Sequence, residues 1–186
     1  MSGRLEVITG SMFSGKTEKL LSEVLSNVWG DTTGIVLYPN RYMRGSHRDI
    51  EWIFGEINWR NLGKNVDIRG VNSLEEYSPY LDDVDTIFID EGQFFELEEA
   101  RVVRSWRRQG KNIWVSGLDM DYQEDTFEIM TELCGLADKV TKLHTKCMLC
   151  RVNDAYISHR LSNDIGKLVV GDQSYEALCI DCYNAI

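Results

Sequence analysis

Proline is nearly missing from this chain, with Pro39 and Pro79 the only two in 186 residues. There is no internal repeat and no low-complexity tract either, which leaves one candidate boundary, near Leu143, where a cysteine-bearing segment begins. Basic residues are also short: 20 Lys and Arg stand against 30 Asp and Glu, for a net charge of -10. That balance excludes a protein that wraps nucleic acid, since neutralising phosphates takes clustered Lys and Arg. The one basic run, Arg101, Arg104, Arg107 and Arg108, has the spacing of a solvated helix face. No segment reaches the roughly 18 apolar residues of a membrane span, and the opening MSGRLEVITG lacks the apolar stretch of a signal peptide. The expected protein is soluble and cytoplasmic, with neither nucleic acid nor membrane as partner. At 43% hydrophobic residues it can build one core and a small appended lobe.

Cysteine is present in an informative arrangement. Four of the five fall as C-x2-C pairs, Cys147 with Cys150 and Cys179 with Cys182. Two such pairs make a tetrahedral all-thiolate zinc site. Cys134 stands apart and is expected to be a small buried hydrophobe. Between the pairs, residues 151–178 read as a long loop carrying Tyr156, Ser158, Arg160, Gly166, Gly171 and Tyr175. Zinc at both ends would hold such a loop near a ligand crevice.

Short apolar, β-branched runs at residues 5–9, 34–38, 66–71, 84–89 and 112–116 predict strands. Helical periodicity at 18–28, 73–80 and 95–109 separates them, while 41–64 is poorly periodic and reads as a long loop with some helix. Continuously apolar strands alternating with helices imply an α/β fold, a mostly parallel sheet covered on both faces.

The segment GSMFSGKT, Gly10 to Thr17, follows the first strand and opens the first helix, and it fits G-x-x-x-x-G-K-[ST]. Its glycines let backbone N–H groups turn toward phosphate oxygens at a helix N-terminus. Lys16 then reaches the β and γ phosphates, and the Thr17 hydroxyl can ligate Mg2+. Further along, DTIFIDEGQFF ends a strand with two carboxylates. Asp90 suits the acid that phosphate-binding loops pair with magnesium at the end of a neighbouring strand. Glu91 points into the crevice where open α/β sheets bind ligands. It can orient water for hydrolysis or accept a proton from a substrate hydroxyl, and local sequence does not separate the two. Phe94 and Phe95 fit either helix packing or a stacking wall.

Taken together, GSMFSGKT, NRY at 40–42, IDEGQFF at 89–95, GLDMDYQEDTF at 117–127, CMLC and YEALCIDCY resemble the type II thymidine kinases over nearly the whole chain. The resemblance implies a P-loop domain at 1–143 and a zinc-binding lobe with a lasso loop at 144–186. It implies ATP-dependent phosphorylation of thymidine, and of deoxyuridine, at the 5'-hydroxyl. By it, Glu91 is the general base, and ATP lies against Gly10, Ser11, Met12, Phe13, Ser14, Gly15, Lys16 and Thr17, with Arg41, Asp90 and Gln93. Magnesium falls to Thr17 and Asp90. Met12, Phe94, Leu118, Tyr122 and Phe127 line the pyrimidine pocket, joined by Val170, Gly171 and Tyr175 of the lasso. The same resemblance implies structural zinc on Cys147, Cys150, Cys179 and Cys182, a homotetramer, and inhibition by dTTP. Some positions depart from the family pattern. Pro39 replaces an acidic residue two positions before Arg41, Val170-Gly171 replaces a Gly-Gly pair, and the first half of the lasso is one residue longer.

Two other activities are compatible with these motifs. One is a P-loop ATPase in which Glu91 activates water, and the other is a kinase for a different or modified pyrimidine deoxynucleoside. A zinc-ribbon module for nucleic acid is contradicted by Asp154, Asp164, Asp172, Glu176 and Asp181 around the knuckles.

Overall fold

The computed structural model describes residues 3–28, 31–40, 65–161 and 174–186. Strands β1 (Leu5–Gly10), β2 (Gly34–Pro39), β3 (Val66–Val71), β4 (Thr86–Ile89), β5 (Asn112–Gly117) and β6 (Lys139–Leu143) form one sheet in the order β3-β2-β4-β5-β1-β6. Every neighbouring pair is parallel.

The apolar runs are continuous because β1, β2, β4 and β5 each feed two cores. Ile8, Val36, Tyr38, Phe88 and Trp114 face Leu20, Leu21 and Val24 of helix α1 (Lys16–Asn27). Their neighbours Leu5, Val7, Ile35, Leu37, Ile87, Ile89, Ile113 and Val115 face the other way. There they meet Val103 and Trp106 of α2 (Ala100–Arg108), and Met130 and Leu133 of α3 (Glu128–Leu136). This is the period of two expected of a strand, with both phases buried. Phe88 stacks on Trp114 at 5.4 Å between ring centroids, so truncating it to Ala would cost about 3–5 kcal/mol.

Several elements differ from the sequence expectations. The helix predicted at 73–80 is a 3-10 helix, Glu75–Tyr80, with Pro79 inside it and no buried residue; proline offers no N–H to extend it. The segment 95–109 divides into a 3-10 turn, Leu97–Glu99, and α2. Helix α3 and strand β6 had no counterpart in the sequence reading. β6 is an edge strand with Lys139, Val140 and Lys142 exposed, so it carries no apolar run.

The arginine run is only in part a solvated face. Arg101 and Arg108 are exposed, but Arg104 pairs with Glu132 of α3 at 2.8 Å. Arg107 donates to the Leu136 carbonyl at 2.8 Å and to Asp138 at 2.5 Å.

After β6 comes a small lobe: β7 (Thr145–Lys146) pairs with β8 (Asp154–Ala155), β9 (Ile157–Arg160) pairs with β10 (Tyr175–Leu178), and α4 (Ile180–Tyr183) follows. The segment read as one loop, 151–178, therefore contains three strands. Among the described residues no helix is long and apolar enough to cross a membrane.

Candidate active site

β1 ends at Gly10, where the chain needs a residue without a side chain. Its φ is 144°, and a Cβ there would lie 2.3 Å from the Leu143 carbonyl oxygen. Gly15 adopts left-handed φ 81° just before α1 begins, and Phe13 between them is also left-handed at φ 63°. The loop so formed holds itself together: the Ser11 carbonyl accepts from Ser14 Oγ and from Lys16 Nζ, both at 2.8 Å. Burial pushes the Lys16 ammonium down, while Glu91, Asp90 and Asp119 push it back up. Its neighbours are thus mostly anionic, and an arriving phosphate competes with them for this cation.

Asp90 reaches this loop from farther away than expected. Its strand, β4, is not beside β1, because β5 lies between them. The carboxylate nonetheless accepts from Thr17 Oγ1 at 3.1 Å. The intervening strand supplies Ser116, whose hydroxyl donates to Asp90 at 2.5 Å, and the Glu91 backbone N–H donates to the same oxygen at 3.0 Å. Ser116 had no role in the sequence reading; its one local signal is a hydroxyl at the end of an apolar strand. Asp90 is 1% exposed, and burial pushes its carboxyl up against the opposing effects of Ser116, the Glu91 N–H, Thr17 and Lys16. A hydroxyl and a carboxylate in contact at a phosphate loop form an all-oxygen donor set suited to Mg2+.

Glu91 follows at φ 54° and ψ 41°, left-handed for a residue with a side chain. Such a conformation costs about 1–3 kcal/mol and persists where the surroundings enforce it. Here the enforcing element is the 3-10 turn Gly92–Phe94, which is wedged against β5: a Cβ on Gly92 would sit 2.8 Å from Val115 Cγ1. The turn separates the two phenylalanines. Phe95 is buried in the α2–α3 core, and Phe94 is left half-buried. Gln93 is buried, and its amide bonds to Glu91.

Beyond β5, Leu118 and Tyr122 are half-buried and Phe127 is buried in the same core as Phe95. Tyr122 lies under the guanidinium of Arg160, 3.7 Å from its ring centroid, and Arg160 Nη2 donates to the Tyr175 hydroxyl at 2.9 Å. Arg160 thereby joins a tyrosine of the main sheet's loop to one of the small lobe. Met12, half-buried, is bound by its backbone N–H to Ser158 of β9. Arg41, Val170 and Gly171, with the rest of 41–64 and 162–173, lie outside the described residues.

The four paired cysteines meet at the base of the small lobe, with all Sγ atoms within 4.8 Å of one another. A tetrahedron with zinc–sulfur bonds of 2.3 Å has edges of about 3.8 Å, and Cys150 and Cys179 are 3.9 Å apart. Burial raises the Cys147 thiol, but backbone N–H groups of Cys179, Cys150 and Leu149 outweigh it and hold it at about 6. Cys182 is pushed up to about 12 by its hydrogen bond to Cys179 and by burial. Four thiols this close do not all ionise unless a cation neutralises them, and the cluster is compatible with a structural zinc site.

The Thr17–Asp90 contact across an intervening strand places the chain among the P-loop nucleotide-binding proteins. Residues 3–183 match the thymidine kinase family, and the chain belongs to it. A relative named thymidine kinase from Bacteroides thetaiotaomicron is 31% identical over 182 residues, 97% of this chain and 87% of its own length. One from Pseudothermotoga lettingae is 31% identical over 191 residues, covering 100% of this chain and 97% of its own. One from Porphyromonas gingivalis is 32% identical over 182 residues, with shares of 97% and 85%.

Proposed function

We propose that the chain transfers the γ-phosphoryl group of ATP to the 5'-hydroxyl of thymidine, and of deoxyuridine, giving the 5'-monophosphate and ADP. The observation that carries this reading is Glu91, a carboxylate held on a strained turn beside the Thr17–Asp90 pair, in a chain of the thymidine kinase family. ATP would lie along Gly10 to Thr17, with its γ-phosphoryl group near Lys16. The nucleoside O5' attacks the γ-phosphorus in line. Its proton passes to the Glu91 carboxylate, the O5'–P bond forms, and the bond from phosphorus to the β,γ-bridging oxygen breaks, its electron pair leaving with ADP. Thr17 and Asp90 would hold Mg2+, which supplies neutralisation of the phosphate charge. Positioning and charge stabilisation account for most of the rate.

Met12, Phe94, Leu118, Tyr122 and Phe127 would surround the pyrimidine, closed by Val170, Gly171 and Tyr175, with Arg41 on the transferred phosphate. Support for the tyrosines comes from the Arg160 bridge between them. Zinc on Cys147, Cys150, Cys179 and Cys182 would secure a lobe at 144–186, distinct from the phosphate-binding domain at 1–143; the lobe's own apolar cluster is small. The family resemblance also supports a cytoplasmic homotetramer inhibited by dTTP. A radiolabelled phosphate-transfer assay over a panel of nucleosides tests the activity: thymidine is the expected acceptor, and ATP hydrolysis indifferent to nucleoside would overturn it.

A further inference from the structure

Glu91 and Leu118 are joined through one buried amide. Gln93 Nε2 donates to Glu91 Oε2 at 2.5 Å, and Gln93 Oε1 accepts from the Leu118 backbone N–H at 2.9 Å. The orientation of the amide follows from chemistry. A backbone N–H only donates, so the carbonyl end faces Leu118 and the NH2 end faces the carboxylate. Gln93 is 5% exposed, and the space it fills exists because residue 117 is glycine. A Cβ there would lie 2.8 Å from Gln93 Oε1 and 2.9 Å from Met130 Sδ. Gly92, the preceding residue, is equally confined by Val115 and Met130. The result is a strut from the end of β5 to the carboxylate, with each end of its amide engaged inside the protein.

We infer that Gln93 is a positioning residue, holding the Glu91 carboxylate in the orientation from which it takes the nucleoside proton. The sequence reading assigned Gln93 to ATP, whereas its side chain is turned to Glu91 and to the loop that begins at Leu118. Because Leu118 is also a candidate wall of the pyrimidine pocket, nucleoside seating and the orientation of Glu91 share one hydrogen-bond chain. A displaced Leu118 backbone would be felt at the carboxylate.

The inference rests on the proposed phosphoryl transfer, and a double-mutant cycle separates the two. Gln93→Met keeps the side chain's length but neither donates nor accepts in the same way; it should lower single-turnover thymidine phosphorylation roughly 10- to 100-fold. The dissociation constant for ATP should stay within about twofold. In a Glu91→Gln background, adding Gln93→Met should cost less than about a further twofold, because the group it positions no longer acts as a base. Gln93→Glu keeps the acceptor for Leu118 but sets a second carboxylate against Glu91, and should lose at least as much. It carries the test should Gln93→Met fail to fold. An additive loss in the Glu91→Gln background, a wild-type rate in Gln93→Glu, or a tenfold weaker ATP affinity with turnover intact overturns the inference alone. An unaltered chain that does not phosphorylate thymidine overturns the proposed function with it.

Discussion

Met12 and Ser158, 146 positions apart, are joined by a 3.0 Å hydrogen bond in which the Met12 backbone N–H donates to the Ser158 hydroxyl. Ser11 adds a longer bond, 3.5 Å, from its hydroxyl to the Ala155 carbonyl. The phosphate loop is therefore built partly against the small lobe. Ser158→Ala leaves the Met12 N–H without this acceptor and should lower stability by about 1 kcal/mol. It should also weaken nucleotide binding several-fold, which equilibrium binding of a non-hydrolysable ATP analogue can check. Unchanged ATP-analogue affinity would mean the bond does not support the loop.

The cysteine geometry predicts one zinc per chain. Metal analysis of protein purified without chelator should find it, and stripping it should loosen nucleoside binding. The contacts from Ser11 and Met12 extend the effect to the phosphate loop: a chelator should weaken ATP-analogue binding as well, before the main sheet melts. Intact ATP-analogue affinity in the stripped protein would count against this coupling.

Glu91→Gln keeps shape and a hydrogen-bonding end but removes basicity. Turnover should fall by roughly 100-fold or more, while ATP and thymidine affinities persist. Near-wild-type turnover in this variant would show that another group accepts the proton.

Burial opposes a charge on Asp90 and pushes its carboxyl up. Asp90→Asn removes that charge while keeping the size of the side chain, so the metal-free variant should melt at a higher temperature than the parent. Its turnover should nonetheless drop roughly 100-fold or more, because the oxygen set with Thr17 loses its anion. A destabilised variant in thermal melts would mean that the bonds from Thr17 and Ser116 outweigh desolvation.

Base choice should favour thymidine and deoxyuridine. Backbone groups of a closed loop that pair with a uracil-type edge meet the wrong donor and acceptor in cytosine, at about 1–3 kcal/mol per unpaired group. Purine deoxynucleosides should be poor acceptors. The 5-methyl group would find apolar neighbours such as Met12 and Leu118, so deoxyuridine should be used roughly tenfold less well than thymidine. Catalytic efficiencies across the four deoxynucleosides decide it. Equal use of deoxycytidine and thymidine would redirect attention to Val170.

Much of the architecture is written in neighbouring residues. The apolar runs of the strands, the phosphate loop with its glycines at Gly10 and Gly15, the strand-end pair Asp90–Glu91 and the spacing of four cysteines are all local patterns. Local patterns survive as long as the chain forms strands and turns at all, so composition and spacing suffice to read them. Strand β6 and the four short strands of the lobe, β7 to β10, escaped because an exposed edge and pairings of two to four residues leave no apolar period to detect. The joining of distant residues belongs to the tertiary structure. That Ser116 meets Asp90, that Gln93 spans from Glu91 to Leu118, that Arg160 sits over Tyr122 and that Ser158 binds Met12 all depend on which strands lie side by side and in what register. A sheet order of β3-β2-β4-β5-β1-β6 brings the ends of β4, β5 and β1 to one crevice. It is chosen by the packing of both sheet faces against their helices, a sum over the whole core that no short stretch of residues contains.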